Sequence, residues 1–223
     1  MAKNPRRPLS RPPKTRRCTL DVTSSGARET SFVSEEAFTQ ETFRRWFERR
    51  SRSDSNHYEL IDGHVVLSPP AAAWHEAVEA RLVALLEAHA SARGLGTVLA
   101  SRTAYELPGG ETLAPDVSFL SRERAQGGPR PERYEISRVV PSLVVEILSP
   151  ATARRDRTEK LEIYVRNGVD EYWIVDFTRR EITVHQPSDE GLTESVIYVS
   201  GVVESRVLPD LNARVEDVFG DVG

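Results

Sequence analysis

Two acidic residues lie inside runs of apolar residues, and these are the positions in the chain most able to do chemistry. Asp116 follows Pro115 in the run at 114–119, and Glu146 interrupts the run at 143–147. A carboxylate on a buried strand is costly unless it is paired or binds a metal ion. Two of them on neighbouring strands offer hard oxygen ligands for one shared Mg²⁺ or Mn²⁺ ion. The alternative interpretation from local sequence is that both acids form structural ion pairs.

A lysine on the next predicted helix can join this pair. Asp156, Lys160 and Tyr164 recur at intervals of four residues, so they share one face of a helix over 156–167. A helix that begins just after a strand ends can point its first turns at a site on that strand. Lys160 is therefore expected to reach a metal-bound water or a phosphate near Glu146. The alternative is a surface Asp156–Lys160 pair worth about 0.3–0.5 kcal/mol.

The elements that position these residues are predicted strands with intervening helices, which indicates an α/β protein with a mixed sheet. Asp62-Gly63 between two apolar runs predicts a hairpin over 58–68. Apolar residues at steps of three and four predict a helix over 71–93. A short amphipathic helix begins near residue 39, and 121–140 is predicted to be a loop. Further strands are predicted over 97–107, 113–120, 142–149, 171–177, 182–185 and 194–200.

Composition excludes several classes of protein. The 223 residues contain one cysteine, which excludes an internal disulfide framework and a multi-cysteine zinc site. No window approaches the ~18 apolar residues that span a bilayer. The single cysteine fits a reducing compartment, so a cytoplasmic location is expected.

Charge is distributed unevenly along the chain. Residues 1–17 hold seven Lys or Arg and no acid, and against a total of −4 this leaves −11 for the rest. We predict a basic, proline-rich disordered tail and linker over 1–40 and a single domain over 41–223. The tail is either a solvated extension or an arm that binds phosphates without sequence preference.

Three segments resemble a known family in the same order along the chain. They are YELIDGHVVLSPPAAAWHEAV at 58–78, LAPDVSFL at 113–120 and PSLVVEILSPATARRDRTEKLEIYVRNGVDEYWIVD at 141–176. Together they resemble the Uma family of restriction-endonuclease-like proteins, which belongs to the PD-(D/E)XK nuclease superfamily. The resemblance covers roughly residues 58–219. It implies a mixed sheet with flanking helices and an antiparallel edge.

The resemblance also implies roles for the residues above. Asp116 matches the PD element and Glu146 the acid of the second motif. Both would bind Mg²⁺ or Mn²⁺ together with the Ile147 carbonyl. The superfamily's lysine normally follows that acid by two residues, where this chain has Leu148, and Lys160 would take its role.

Other polar residues receive supporting roles at this predicted site. Glu59 and His75 match further polar positions of the family, and Asp156 is a third supporting residue. The arginines of the loop before Lys160 either contact phosphates or form an exposed basic loop; they are Arg154, Arg155 and Arg157.

The function that follows is metal-dependent hydrolysis of phosphodiester bonds in nucleic acid, with DNA as the expected substrate. The resemblance also favours a homodimer. One alternative is a nuclease fold that has lost catalysis and binds nucleic acid or a protein partner. Another is a structural homo-oligomer whose acids are ion-paired.

Overall fold

The computed structural model describes residues 15–17, 32–49, 56–68, 70–101, 103–128, 136–188 and 193–220. These residues form twelve strands and six helices, which in chain order are β1 (Thr15–Arg17), β2 (Phe32–Ala37), α1 (Gln40–Glu48), β3 (His57–Ile61), β4 (His64–Ser68), α2 (Ala73–Arg93), β5 (Gly96–Ala100), β6 (Tyr105–Glu106), β7 (Thr112–Leu113), β8 (Val117–Ser121), α3 (Arg122–Gly127), β9 (Leu143–Ile147), α4 (Ala153–Arg157), α5 (Glu159–Arg166), β10 (Glu171–Asp176), β11 (Glu181–Pro187), β12 (Thr193–Tyr198) and α6 (Val215–Phe219).

One sheet is antiparallel and has the strand order β1-β2-β4-β3-β7-β6. Its central hairpin, β3–β4, turns at Asp62 and Gly63 with φ angles of 48° and 73°. A two-residue hairpin turn of this kind needs positive φ at both positions, which Asp-Gly tolerates. The predicted hairpin is therefore present where the sequence placed it.

The other sheet is mixed and has the strand order β12-β11-β10-β9-β8-β5. β9 runs parallel to β10 and antiparallel to β8, while β11 and β12 form an antiparallel edge. All five residues of β9 are buried. This confirms the prediction of a mixed sheet with the Glu146 strand at its centre.

Helix α2 covers one face of the mixed sheet. Val78, Leu82 and Leu86 are fully buried and share an apolar cluster with Val145 and Trp173 of the sheet. These helix residues are spaced by four, so they line one side of the helix. The predicted long helix is therefore the element that closes this side of the core.

The opposite face of the mixed sheet is covered by the antiparallel sheet and α5. Val144 and Ile174 point to this side and share a second cluster with Leu113 of β7 and Tyr164 of α5. A sheet that is buried on both faces needs strands that are apolar throughout, and this explains the continuous apolar run around Glu146.

Two predicted strands are divided between the sheets. The segment 97–107 forms β5 in the mixed sheet and β6 in the antiparallel sheet, and 113–120 is divided in the same way between β7 and β8. Pro115 lies between β7 and β8, and because it has no N–H it cannot continue a strand ladder. The chain therefore crosses from one sheet to the other at 114–116, which places Asp116 at their junction.

Two helical segments also differ from the prediction. The predicted helix over 156–167 is two helices, because α4 already begins at Ala153 and Thr158, with φ −127° and ψ −80°, separates it from α5. The predicted loop over 121–140 contains α3, whose first turn is capped by the Ser121 hydroxyl. No helix in the described ranges combines the length and the apolarity needed to cross a membrane.

Most of the predicted tail and linker, namely residues 1–14 and 18–31, lies outside the described residues. Within the linker, residues 32–37 form β2, which pairs with β4. The antiparallel sheet thus begins before the predicted domain boundary at residue 41. The division into a tail and one domain otherwise stays a prediction.

Candidate active site

The structure brings the predicted site residues together where the two sheets meet. A cavity of about 60 Å³ is lined by residues from five elements and the segments that join them, among them Glu59, His75, Asp116, Glu146, Ile147 and Lys160. Asp116 directly precedes β8, and Glu146 and Ile147 end the adjacent strand β9. Glu59 comes from β3 of the other sheet, His75 from the first turn of α2 and Lys160 from α5.

Lys160 is the cation at the centre of this site, and it is only 4% exposed. Its Nζ lies 2.8 Å from Glu59 Oε1, 3.0 Å from Glu146 Oε1 and 3.6 Å from Asp156 Oδ1. Burial alone would lower the pKa of Lys160, but the three carboxylates outweigh it and raise the pKa well above its usual value. Lys160 therefore keeps its proton at all ordinary pH values.

Glu146 is 4% exposed and accepts two hydrogen bonds at the same oxygen. Lys160 Nζ and the Tyr164 hydroxyl lie 3.0 Å and 3.1 Å from Oε1. Burial raises the pKa of Glu146 well above its usual value, although the charge of Lys160 acts in the opposite direction. Tyr164 and Lys160 share one side of α5, as the spacing of four predicted.

Asp156 adds a further buried carboxylate and is 1% exposed. Burial raises its pKa to about 6, and the positive charge of Lys160 only partly opposes this rise. Its Oδ1 atom has no hydrogen-bond partner among the described residues. Glu59, Glu146 and Asp156 thus surround a single lysine, and this excess of negative charge favours a further cation or bound protons.

Asp116 and Ile147 form a second group at the cavity, together with His75. The Asp116 carboxylate accepts the Ile147 N–H at 2.7 Å. His75 Nε2 lies 3.1 Å from the Ile147 carbonyl oxygen and 3.2 Å from Asp116 Oδ2. Both of these atoms are acceptors, so Nε2 carries the proton. Burial lowers the pKa of His75, but the hydrogen bond and charge of Asp116 outweigh it and leave the pKa above its usual value.

Glu59 connects the two groups. Its Oε1 atom accepts the Ala114 N–H at 3.0 Å and contacts Lys160 Nζ at 2.8 Å. One carboxylate thereby holds both the segment that carries Asp116 and the lysine side chain of α5. The sequence singled out Glu59 only through the family resemblance; nothing local predicts that it reaches Lys160.

The three predicted phosphate-binding arginines do not line this cavity. Arg157 lies 2.6 Å from Asp176 at the end of β10, and Arg155 lies 3.5 Å from Glu159. Arg154 is exposed. Two of the three arginines thus have carboxylate partners, and a phosphate contact stays a prediction for all three.

Glu79 is a polar residue of the site that sequence reasoning missed. A carboxylate oxygen of Glu79, a ring nitrogen of His75 and a carboxylate oxygen of Asp116 all lie within 4.8 Å of one another. The available signal was the spacing of four between His75 and Glu79, which puts both on one face of α2.

Comparison with known proteins agrees with this architecture. A family model described as "Putative restriction endonuclease", Uma2, matches residues 40–216. A crystal structure of "a putative nuclease belonging to DUF820" from Anabaena variabilis ATCC 29413 matches with a TM-score of 0.65 and 19% sequence identity. That match covers 82% of this chain and 97% of the other. No curated protein matches the chain.

The two-sheet architecture is thus a restriction-endonuclease-like fold, as the resemblance implied. The family match spans most of the chain, from α1 to α6. The chain belongs to the Uma2 family.

Proposed function

We propose that this protein is a divalent-metal-dependent endonuclease that hydrolyses phosphodiester bonds of nucleic acid, with DNA as its substrate. The observation that supports this most is the cavity that gathers Asp116, Glu146, the Ile147 carbonyl and Lys160. It joins oxygen ligands of the kind that Mg²⁺ and Mn²⁺ prefer to a cation that can contact a phosphate. Membership of a family described as restriction endonucleases supports the choice of DNA.

The residues present fit a divalent cation. The buried carboxylates outnumber Lys160, and Asp156 Oδ1 lacks a hydrogen-bond partner among the described residues. Asp116, Glu146 and the Ile147 carbonyl would hold Mg²⁺ or Mn²⁺. A bound ion would polarise the scissile phosphate and lower the pKa of a water molecule.

Lys160 has a defined role in this proposal. The three carboxylates around it raise its pKa above the usual value, so this arrangement favours Lys160 as a cation over Lys160 as a general base. It can donate hydrogen bonds to an attacking water or to a phosphate oxygen and stabilise negative charge as that charge develops. Glu59 is a positioning residue, since it holds Nζ beside Glu146.

His75 orients the acidic side of the cavity. Its Nε2 proton lies between Asp116 Oδ2 and the Ile147 carbonyl oxygen, the two atoms that the sequence predicts as metal ligands. An ion that binds both atoms would compete with this proton. No covalent intermediate is required, because a water molecule can attack the phosphorus directly.

The test is cleavage of plasmid DNA and of a structured RNA with Mg²⁺, with Mn²⁺ or with EDTA. The wild type should cleave DNA only when a divalent ion is present. Asp116→Asn removes a ligand charge without changing the size of the side chain and should reduce cleavage at least 100-fold. Equal cleavage by the variant would assign the activity to a contaminant and overturn the proposal.

A second candidate function is a nuclease-like module that binds nucleic acid or a protein without cleaving it. The observation in its favour is that Lys160 already contacts Glu59 and Glu146 and is almost fully buried. Metal-dependent DNA binding with no cleavage of either substrate would support this alternative. A homodimer and a cytoplasmic location also stay predictions, and light scattering of the full chain tests the first.

A further inference from the structure

The two edges of the mixed sheet are protected to different degrees. At the β5 edge, carboxylates of α2 take up backbone N–H groups: Glu87 Oε2 accepts the Val98 N–H at 3.2 Å, and Glu79 Oε1 accepts the Ser101 N–H at 3.0 Å, just after the strand ends. At the β12 edge, no side chain of the described residues bonds to the strand backbone. An open strand edge is a template for another strand, and native proteins usually cover it or charge it.

The exposed large apolar side chains of the described residues are all found at this open edge. Val196, Ile197, Val199 and Val202 are 51%, 59%, 66% and 38% exposed. They lie on β12 and on the short segment that follows it. Single exposed apolar residues are normal on a protein surface, whereas a contiguous group of them marks an interaction surface.

These side chains point to both faces of the sheet. Val196 lies opposite Val184 of β11, and Ile197 lies opposite Thr183. Successive strand residues point to opposite faces, so a protein that docked on one face would leave either Val196 or Ile197 uncovered. A strand that pairs in the plane of the sheet places side chains beside both of them. The edge is therefore suited to a partner strand.

The charges at this edge are balanced. Glu194 is the only charged residue of β12, and the Arg206 guanidinium lies 3.0 Å from its carboxylate. The ring of His185 contacts the Ser195 hydroxyl, and burial together with the charge of Arg157 lowers the pKa of His185, so this ring is neutral near pH 7. In a two-fold contact the same surface is present on both sides, and like charges that face each other are destabilising. A surface with balanced charge can contact its own copy without this cost.

We propose that β12 pairs with β12 of a second copy of this chain, antiparallel and about a two-fold axis, so that two mixed sheets become one sheet of twelve strands. A two-fold axis perpendicular to the sheet turns a strand antiparallel to itself. The outward N–H and C=O groups of the edge then meet the same groups of the other copy, donor to acceptor. The pairing would cover Val196 on one face and Ile197 on the other.

The test measures the mass of the full chain by sedimentation equilibrium over a range of protein concentrations. The wild type should be a dimer. Ile197→Lys brings two lysines close together across the axis and should weaken dimerisation by about 100-fold or more, since opposed like charges cost several kcal/mol. Thr97→Lys is the matched control, because it adds the same charge to an exposed residue of β5 at the opposite edge of the sheet and should dimerise like the wild type.

A charge-swap measurement tests the two-fold arrangement itself. Ile197→Lys and Ile197→Glu should each be monomeric alone, and their mixture should form a heterodimer at low ionic strength. The reason is that the lysine of one chain lies across the axis from the glutamate of the other. Recovery of the dimer also shows that both variants are folded, and thermal melts of each variant check this separately.

A wild type that stays monomeric at high concentration would overturn the proposal, as would be seen if another segment of the chain covered the edge. A dimer that Ile197→Lys leaves intact would also overturn it, because the contact would then lie elsewhere. A mixture of the two charged variants that fails to dimerise would exclude the two-fold pairing. None of these measurements involves cleavage, so this inference and the proposed hydrolysis can fail separately.

Discussion

Glu146 and Glu171 lie on neighbouring parallel strands, and both are buried, yet their surroundings differ. Glu171 is fully buried at the start of β10. It accepts hydrogen bonds from Trp173 Nε1 at 2.6 Å, Gln186 Nε2 at 2.9 Å and the Arg206 N–H at 2.8 Å. None of these donors is a charged side-chain group.

Glu146, in contrast, lies at the other end of the strand pair, opposite Ile174 of β10. It lines a cavity and shares Lys160 with Glu59 and Asp156. Its pKa is raised well above the usual value by burial, and the neighbouring carboxylates raise it further.

This difference separates a structural buried acid from one that is placed for chemistry. Each Glu171 oxygen has a neutral donor, so the carboxylate stabilises the strand and the C-terminal segment without needing another partner. Around Glu146 the negative charges exceed the positive charge, so the site gains from a cation that the chain itself does not provide. Burial alone does not identify a functional acid; the balance of its partners does.

The largest expected effect comes from exchanging these two acids for glutamine in turn. Glu146→Gln should reduce cleavage by at least about 10²–10³-fold, because it removes a ligand charge at the reacting centre. Glu171→Gln should leave cleavage unchanged but lower the free energy of unfolding by about 1–3 kcal/mol, because the new amide N–H₂ faces a buried donor. Cleavage rates and denaturant melts measure both. Equal loss of cleavage in the two variants would contradict the distinction.

Loss of the shared cation should affect both activity and stability. Lys160→Ala leaves Glu59, Glu146 and Asp156 buried without a counter-charge, which should lower the free energy of unfolding by about 3–5 kcal/mol near pH 7. Cleavage should fall by about 10²–10³-fold at a pH where the variant is folded. Steady-state cleavage and urea unfolding check the two effects.

Tyr164→Phe is the matched control for Lys160→Ala. It removes the other donor to the same Glu146 oxygen but no charge. It should therefore lower the free energy of unfolding by only about 1 kcal/mol. If Lys160→Ala were as mild as this control, Lys160 would not be the cation that balances the site.

The last expected effect is a change in the pH dependence of stability. The pKa of Asp156 is raised from 3.8 to about 6 in the folded protein, so its protonated form favours folding. That contribution is complete below about pH 4 and is lost as the pH rises through about 6, for a total on the order of 3 kcal/mol. The Asp156→Asn variant has no carboxyl group at this position, so its free energy of unfolding does not lose this contribution as the pH rises.

The measurement compares the free energy of unfolding of the two proteins from pH 4 to 7.5 with EDTA present. The difference should shift in favour of Asp156→Asn as the pH rises. A difference that stays constant with pH would show that Asp156 is ionised throughout and that the charge excess around Lys160 is smaller than the structure indicates.

Much of the fold could be predicted from local patterns. Asp62-Gly63 predicted the hairpin because few dipeptides tolerate positive φ at both turn positions. The apolar residues at steps of three and four in α2 and the continuous apolar run of β9 predicted which elements enclose the core. The family resemblance added the order of the motifs and assigned Lys160 in place of the absent lysine at position 148.

Other features depended on contacts between residues far apart in sequence. The division of 113–120 between two sheets arises at Pro115, but only the packed structure shows that the crossing brings Asp116 beside His75 and Ile147. The sequence around Arg157 predicts a phosphate contact, and only the fold shows that Arg157 also forms an ion pair with Asp176 of β10.

The sequence by itself determined which residues must be buried and which acids would be costly to bury, because periodicity and side-chain chemistry are local properties. Only the tertiary structure decided how those acids are compensated. Glu171 accepts hydrogen bonds from three neutral donors, whereas Glu146 contacts a lysine that other carboxylates share. Glu79 lies at the site because one turn of α2 faces the crossing at Asp116. Charge balance is a sum over neighbours in space, and the order of residues along the chain does not specify those neighbours.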